Sequence, residues 1–337
     1  VFPVDQRLPK QSQSDLFEHM GVSAIVDSSG VTPVAGRPVD AGDALVVATS
    51  GSTGVPKGVV LTHDALAANA RATNSYIGAE HNVDKWLACL PLSHVGGFSV
   101  IVRALQSGIA LEVHNGFEAD RVIEAAHNGA TLVSLVPTAM SRIDVALFRK
   151  VLVGGSAVPP SRPANVVATY GMTETGSGVV YDGRPLDEVE LRIDQDEIQL
   201  RCPMLLRCYR DGADPRTNDG WFPTGDAGSL DSDGLLTVHG RKGDMIITGG
   251  ENVWPVAVER ILEKVPGVAE CAIVGRPDAE WGQVVTAVVV PLAEPPTMEE
   301  IREHVKASLP GYCAPRDLEL TDRLPRTALG KLQRHLL

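Results

Sequence analysis

The chain has little of what would tie it to a membrane, to secretion or to nucleic acid. Cysteine is scarce: Cys89, Cys202, Cys208, Cys271 and Cys313 are odd in number and include no C-x-x-C pair. That usage supports neither a disulfide framework nor a zinc knuckle, and it fits a reducing cytoplasm. No apolar run reaches the roughly 18 residues needed to span a bilayer. The start, Val1-Phe2-Pro3-Val4-Asp5, lacks the basic and apolar regions of a signal peptide, and lacks an initiator Met, as in a trimmed chain. Positive charge is in deficit: 30 Lys+Arg against 42 Asp+Glu give a formal charge of −12. That balance argues against non-specific binding along a phosphate backbone, while small anions remain admissible because local loops bind them at any net charge. What is present is 337 residues, 44% of them apolar. This is enough for a sizeable core and, at about 150 residues per domain, for two domains.

The run Ala44–Ala48 ends in Thr49-Ser50-Gly51-Ser52-Thr53-Gly54, and a second run, Gly58–Leu61, follows, so the Gly/Ser/Thr segment reads as a loop between strands. Thr62 reads as the N-cap of a helix from His63 towards Asn74. Strand-like runs at Trp86–Leu90, Thr131–Val136, Val151–Val153 and Val166–Thr169 alternate with helix-compatible sequence, as in a largely parallel, buried sheet with helices on its faces. From Asp187 the texture turns to short strands, Ile198–Arg201 and Leu235–His239, a small β-rich subdomain. Pro255 opens a helix with Val258, Ile261, Leu262 and Val265 on one face. Strands Ala269–Val274 and Val284–Val290 follow, then a capping box of Thr297 and Glu300. The expected fold is α/β: a large N-terminal domain, 1–240, with a layered, mostly parallel sheet and the β-rich subdomain. A hinge at 241–243 leads to a small mobile α+β domain, 244–337.

Four segments carry chemistry. In Thr49-Ser50-Gly51-Ser52-Thr53-Gly54-Val55-Pro56-Lys57-Gly58, glycines turn N–H groups inward, hydroxyls add donors and Lys57 adds charge, which makes a polyphosphate cradle. The spacing is not that of P-loop NTPases. In Tyr170-Gly171-Met172-Thr173-Glu174-Thr175, a carboxylate and hydroxyls follow a strand, where α/β sheets bind ligands. Glu174 offers hard oxygens to Mg²⁺ and Thr173 a donor to phosphate, though a capped turn would read the same. In Trp221-Phe222-Pro223-Thr224-Gly225-Asp226 and Gly240-Arg241-Lys242-Gly243-Asp244, an acid after a tight turn suits ribose hydroxyls and an Arg fork suits phosphate. In Pro325-Arg326-Thr327-Ala328-Leu329-Gly330-Lys331, the lysine taken alone reads as a solvated charge.

Together and in this order, these segments resemble the adenylate-forming superfamily of acyl-CoA synthetases, luciferases and peptide-synthetase adenylation domains, from about Asp43 to Lys331. The resemblance implies ATP and Mg²⁺ as cofactors and CoA as cosubstrate. It implies that Thr49 to Gly54 and Lys57 cover the triphosphate, and that Tyr170-Gly171 packs on adenine opposite Gly154-Gly155-Ser156. Asp226 would then bind the ribose, Arg241 the ribose or phosphate region, and Glu174 the Mg²⁺. Lys331 would bridge carboxylate and α-phosphate. It also implies a rotation of the small domain that withdraws Lys331 and brings in the loop Ile247–Asn252, where Gly249, Gly250 and Glu251 meet the pantetheine arm. Most members carry a long N-terminal subdomain before the glycine-rich loop; here fewer than fifty residues precede it.

The acyl pocket falls on Leu90-Pro91-Leu92-Ser93-His94-Val95-Gly96-Gly97-Phe98, with His94 as wall or as packing residue and Gly96 and Gly97 beside it. No Asp occupies this segment, which disfavours an amino-acid substrate. Arg103, in an apolar helical run, reads either as a snorkelling surface residue or as a clamp for a second carboxylate. This texture resembles the o-succinylbenzoate–CoA ligases of menaquinone biosynthesis. Ligases for another aromatic or medium-chain acid, and adenylation modules that load a carrier protein, remain alternatives. The expected partners are small molecules, with no nucleic acid and no membrane span; a homodimer is left open.

Overall fold

The computed structural model describes residues 1–49, 56–292, 294–326 and 332–337. Ser50, Gly51, Ser52, Thr53, Gly54 and Lys331 therefore lie outside the described residues. The chain divides into two compact units: Val1–Leu191 with Leu200–Phe222, and Arg192–Gln199 with Pro223–Leu337. The strands Phe222–Leu230 and Leu236–Arg241 pair with each other, and from Pro223 onward they group with the C-terminal part. The segment 241–243 accordingly lies inside the second unit.

In the first unit a seven-stranded sheet has the order Arg184–Pro185, Ser177–Tyr181, Val166–Met172, Lys150–Val153, Leu132–Leu135, Lys85–Ala88, Ala110–Val113. The last five of these pair in parallel, as the alternation of runs predicts. The first two turn back antiparallel. Helix His63–Ile77 starts at Thr62, whose hydroxyl accepts from Ala65 N, and runs three residues past the expected Asn74 to a left-handed Gly78. The core on one side of the sheet gathers Leu87, Val122, Val133, Val151 and Val166.

The runs Ala44–Ala48 and Gly58–Leu61 do not join this sheet. They form strands Asp43–Thr49 and Lys57–Thr62 of an antiparallel hairpin, which pairs with Cys208–Tyr209 in a separate three-stranded sheet. Its core is Leu45, Val59, Leu61, Leu206 and Phe222. A further hairpin, Ala24–Asp27 with Gly30–Pro33, has no counterpart in the periodicity reading.

In the second unit, strands Val268–Asp278 and Gly282–Pro291 form a long hairpin flanked by Ile246–Thr248, Glu251–Val253 and the parallel Asp317–Leu320. Helix Pro255–Leu262 has Pro at its first turn, and Met298–Lys306 carries the expected capping box of Thr297 and Glu300. Both helices lay apolar faces on the sheet through Val258, Leu262, Ile301 and Val305 against Ile273 and Val285. Among the described residues no helix is long and apolar enough to cross a membrane.

Candidate active site

The residues of the first unit expected to face the nucleotide lie at or near strand ends, where backbone groups leave the ladder and become available to a ligand. Thr49 and Lys57 are register partners at the open end of their hairpin, and the Thr49 hydroxyl donates to Lys57 O at 3.4 Å. In the main sheet, Lys150–Val153 and Val166–Met172 are parallel neighbours. Gly154-Gly155-Ser156 therefore leaves the sheet after Val153 beside Thr169-Tyr170-Gly171, which continues the neighbouring strand, at the carboxyl end of the parallel strands where open α/β sheets bind ligands.

The turn after Tyr170 is locked from within. Thr175, fully buried, donates its hydroxyl proton to Ser177 O at 2.6 Å, with Met172 O also at 3.0 Å, and accepts from Met172 N at 3.0 Å. This fixes Thr173 and Glu174 on a single 3₁₀ turn. The Glu174 carbonyl is held by Leu206 N at 2.7 Å, and its Oε1 accepts from the Tyr209 hydroxyl at 3.0 Å. Among the described residues no three His, Cys, Asp or Glu side chains converge as a metal site. A single carboxylate still fits Mg²⁺, which keeps several waters and completes its shell with substrate phosphates.

His94 caps helix Val95–Ser107 by position, without a side-chain capping bond. Burial pushes its pKa down, and the nearby Asp5 opposes that shift. The helix's first turn lies tight on the preceding chain: a Cβ on Gly97 would fall 2.4 Å from Pro91 O and 2.6 Å from Leu90 O. Gly97 is thus required by backbone approach, whereas a Cβ on Gly96 would meet only Leu90 Cδ1, at 3.7 Å.

Arg103 is not a surface residue. It is 2% exposed, which removes the snorkelling alternative. Its guanidinium donates to Ser177 Oγ at 2.7 Å and Ser134 Oγ at 3.2 Å and lies 5.6 Å from the centre of the Trp86 ring. Nε is buried with no acceptor among the described residues. No carboxylate among the described residues pairs with it, and desolvation pushes its pKa down. A buried cation of this kind costs several kcal/mol unless a counter-charge arrives (roughly, as an effective penalty).

In the second unit Asp226 and Arg241 face each other in register on antiparallel strands, with Arg241 Nε 3.0 Å from Asp226 Oδ1. Arg241 Nη1 also donates to Thr224 O at 2.9 Å. The turn before Asp226 is held by the Thr224 hydroxyl on Ile198 O at 2.7 Å and by Gly225 N on Glu197 Oε1 at 2.8 Å. Asp226 is 8% exposed, so its carboxylate is aimed by neighbours rather than free to rotate. Asp226, expected at the ribose, and Arg241, expected at the ribose or phosphate region, are thus joined by an ion pair.

The expected loop Ile247–Asn252 is a hairpin. Strands Ile246–Thr248 and Glu251–Val253 pair Thr248 with Glu251, leaving Gly249-Gly250 as a two-residue turn with φ of +58° and +85°. Both values lie in the left-handed region that such turns require. Gly249 also packs on Trp281, where a Cβ would meet the ring at 2.7 Å, while Gly250 is open and Glu251 exposed. Around residues 327–331 the flanks are tied: Arg326 bridges Leu332, and Gln333 N donates to Pro325 O at 2.9 Å. Arg334 pairs with Glu259 and Asp244.

Sequence reasoning missed Thr175, Ser134, Ser177 and Tyr209. Thr175 lies inside the singled-out Tyr170–Thr175 segment, so its place there was the available signal. The other three lie on strands that only the fold brings to the site.

The AMP-binding enzyme family matches residues 2–199, and the AMP-binding enzyme C-terminal domain matches residues 257–331. A probable 2-succinylbenzoate–CoA ligase from Mycobacterium tuberculosis is 39% identical over 332 residues, covering 90% of this chain and 85% of that protein. A 2-succinylbenzoate–CoA ligase from Enterococcus faecalis is 32% identical, covering 87% and 68%. Among solved structures, o-succinylbenzoate CoA synthetase (MenE) from Bacillus subtilis in complex with the acyl-adenylate intermediate OSB-AMP superposes with a TM-score of 0.82 at 29% identity, covering 98% of this chain and 76% of that one. The same Bacillus enzyme in complex with ATP and magnesium ion gives 0.80 at 30% identity, covering 91% and 73%.

Proposed function

The chain belongs to the AMP-binding enzyme family and is an AMP-forming acid–thiol ligase, and we propose that its acid is o-succinylbenzoate, activated for menaquinone synthesis in the cytoplasm. The observation that carries the substrate reading is Arg103: a fully buried guanidinium, hydrogen-bonded among the described residues only to serine hydroxyls, in helix Val95–Ser107 with His94 at its N-cap. An aromatic dicarboxylic acid supplies the charge that such a residue lacks, because one carboxylate reacts while the other stays anionic.

The chemistry assigns the remaining roles. A carboxylate attacks the α-phosphorus of ATP, so two anions must approach, and the negative charge developing on pyrophosphate must be stabilised. We assign Lys331 to the first task, bridging carboxylate and α-phosphate. Lys57 and the hydroxyls of the 49–54 segment serve the second. Mg²⁺, held by Glu174 and the phosphates, supplies a further positive charge to the leaving group. Thr173 donates to the phosphate, Tyr170 with Gly171 packs on adenine opposite Gly154-Gly155-Ser156, Asp226 holds the ribose, and Arg241 meets the ribose or phosphate region. CoA thiolate then attacks the acyl carbon and AMP leaves. For that step we assign Gly249, Gly250 and Glu251 to the pantetheine arm and the change of orientation to 241–243.

A panel of acids scored by pyrophosphate release tests the substrate. Preference for o-succinylbenzoate over benzoate and octanoate is expected; preference for a monocarboxylate would sink the assignment. Comparing CoA with a holo-carrier protein as acceptor tests the thiol, and sedimentation equilibrium tests whether two copies associate.

A further inference from the structure

We propose that Tyr209 is a positioning residue for the metal–triphosphate site: it orients Glu174 through its hydroxyl and Lys57 through its ring while neutralising neither. The inference rests on the reading of Glu174 and Lys57 given above. Tyr209 stands at the end of strand Cys208–Tyr209, in register with Val59, two residues past Lys57 on the adjacent strand. Its hydroxyl donates to Glu174 Oε1 at 3.0 Å, and the Lys57 ammonium lies 4.9 Å from the centre of its ring. One neutral side chain thus touches the residue that would hold the cation and the residue that would meet the phosphates.

The choice of a phenol has a physical consequence. Holding Glu174 by an arginine or lysine would offset the charge that Mg²⁺ needs, and holding Lys57 by a carboxylate would offset the charge that phosphate needs. A phenol donates one hydrogen bond to a carboxylate and leaves its formal charge intact, and an aromatic face attracts an ammonium without protonation or charge transfer. Placed between them, it also supplies each with a partner other than the opposite charge. The backbone supports this placement: Tyr209 N donates to Ala213 O at 2.8 Å, and Leu206 N holds the Glu174 carbonyl at 2.7 Å. The segment that leads into the strand of Tyr209 therefore anchors the Glu174 turn as well. Tyr209 and Lys57 line a cleft of about 200 Å³ together with His19, Arg37, Arg210 and Asp211.

The test uses the whole chain with ATP and no acid, so that binding is read apart from turnover. Isothermal titration gives ATP affinity at a series of Mg²⁺ concentrations, and AMP without metal serves as the reference ligand. Tyr209→Phe keeps the ring under Lys57 and removes only the hydroxyl. It is expected to weaken MgATP binding and raise the Mg²⁺ half-saturation about 10- to 100-fold, the scale of one hydrogen bond to a charged group. AMP affinity and the unfolding midpoint should stay at wild-type values. Tyr209→Leu removes both contacts and should weaken MgATP further at saturating Mg²⁺. Equal Mg²⁺ dependence in wild type and Tyr209→Phe would overturn the proposal, as would parallel loss of MgATP and AMP binding. The substrate reading fails separately: wild type would then bind MgATP with the Tyr209 dependence intact and release no pyrophosphate with o-succinylbenzoate.

Discussion

Replacing Arg103 by Met separates the two things a buried guanidinium can do. The side chain is 2% exposed and donates to Ser177 Oγ at 2.7 Å and Ser134 Oγ at 3.2 Å. Hydrogen bonds to a charged group contribute about 1.5–3 kcal/mol each, so their loss alone would destabilise by roughly 3–6 kcal/mol. Against this stands the desolvation of a cation with no carboxylate among the described residues. That penalty is several kcal/mol, and exchanging buried charges for apolar residues of similar volume is often neutral or stabilising by about 1–4 kcal/mol. The terms nearly cancel, and Met fills most of the volume, so the unfolding free energy of Arg103→Met should lie within about 2 kcal/mol of wild type. Substrate discrimination should not survive. Losing a charge-assisted contact of about 1.5–3 kcal/mol corresponds to roughly a 10- to 100-fold rise in KM for a dicarboxylate. KM for a matched monocarboxylate should change by less than about threefold, a scale of 0.6 kcal/mol. Urea unfolding and pyrophosphate release on the two acids give both numbers. Equal KM changes for the two acids would refute the clamp and make Arg103 a structural residue.

Other sites give sharper local outcomes. Gly97→Ala places a Cβ 2.4 Å from Pro91 O, so the helix start must shift, at a net cost of about 1–3 kcal/mol and with a raised KM for the acid. Gly96→Ala, whose Cβ would make only an ordinary van der Waals contact with Leu90, should match wild type or gain up to about 1 kcal/mol in urea unfolding. Asp43 is buried against Arg207 at 2.7 and 2.8 Å, and these hydrogen bonds hold its carboxyl below the usual carboxylate range. Its folded pKa lies under the unfolded one, so its contribution is present above about pH 4 and is lost as pH falls through the folded value. Asp43→Asn should therefore lose about 1–3 kcal/mol at pH 7 and show a flatter acid limb in thermal unfolding, whereas an acid limb parallel to wild type would contradict the pairing. Arg334→Ala leaves Glu259 without its buried partner and should cost about 3–5 kcal/mol, with Arg334→Lys restoring less than half because the fork is lost; full rescue by Lys would show that charge alone is needed.

The local grammar was legible. Thr62 and the Thr297–Glu300 pair cap helices as their spacing predicts, and the β-branched runs from Lys85 to Met172 build parallel strands. These signals are contained within a few residues, so sequence carries them whole. Arg103 was ambiguous because helical periodicity does not reveal the opposing sheet; its serine partners lie 31 and 74 residues away. Tyr209 was invisible for the same reason, being 35 residues from Glu174. Asp226 and Arg241 were each singled out, yet their pairing follows from strand register, which the intervening turn and a bulge after Ala227 determine. The 247–252 hairpin was read as a loop because its strands are three residues long, too short for alternation to register.

The central claim is that this chain activates o-succinylbenzoate as an adenylate and passes it to CoA. Mass spectrometry of the purified protein with ATP, Mg²⁺, CoA and o-succinylbenzoate, with benzoate and octanoate in parallel, tests it directly. The account expects o-succinylbenzoyl-CoA with AMP and pyrophosphate in equal amounts, the acyl-adenylate accumulating when CoA is withheld, and little product from the monocarboxylates. Thioester from benzoate or octanoate at a rate equal to or above that from o-succinylbenzoate would contradict it.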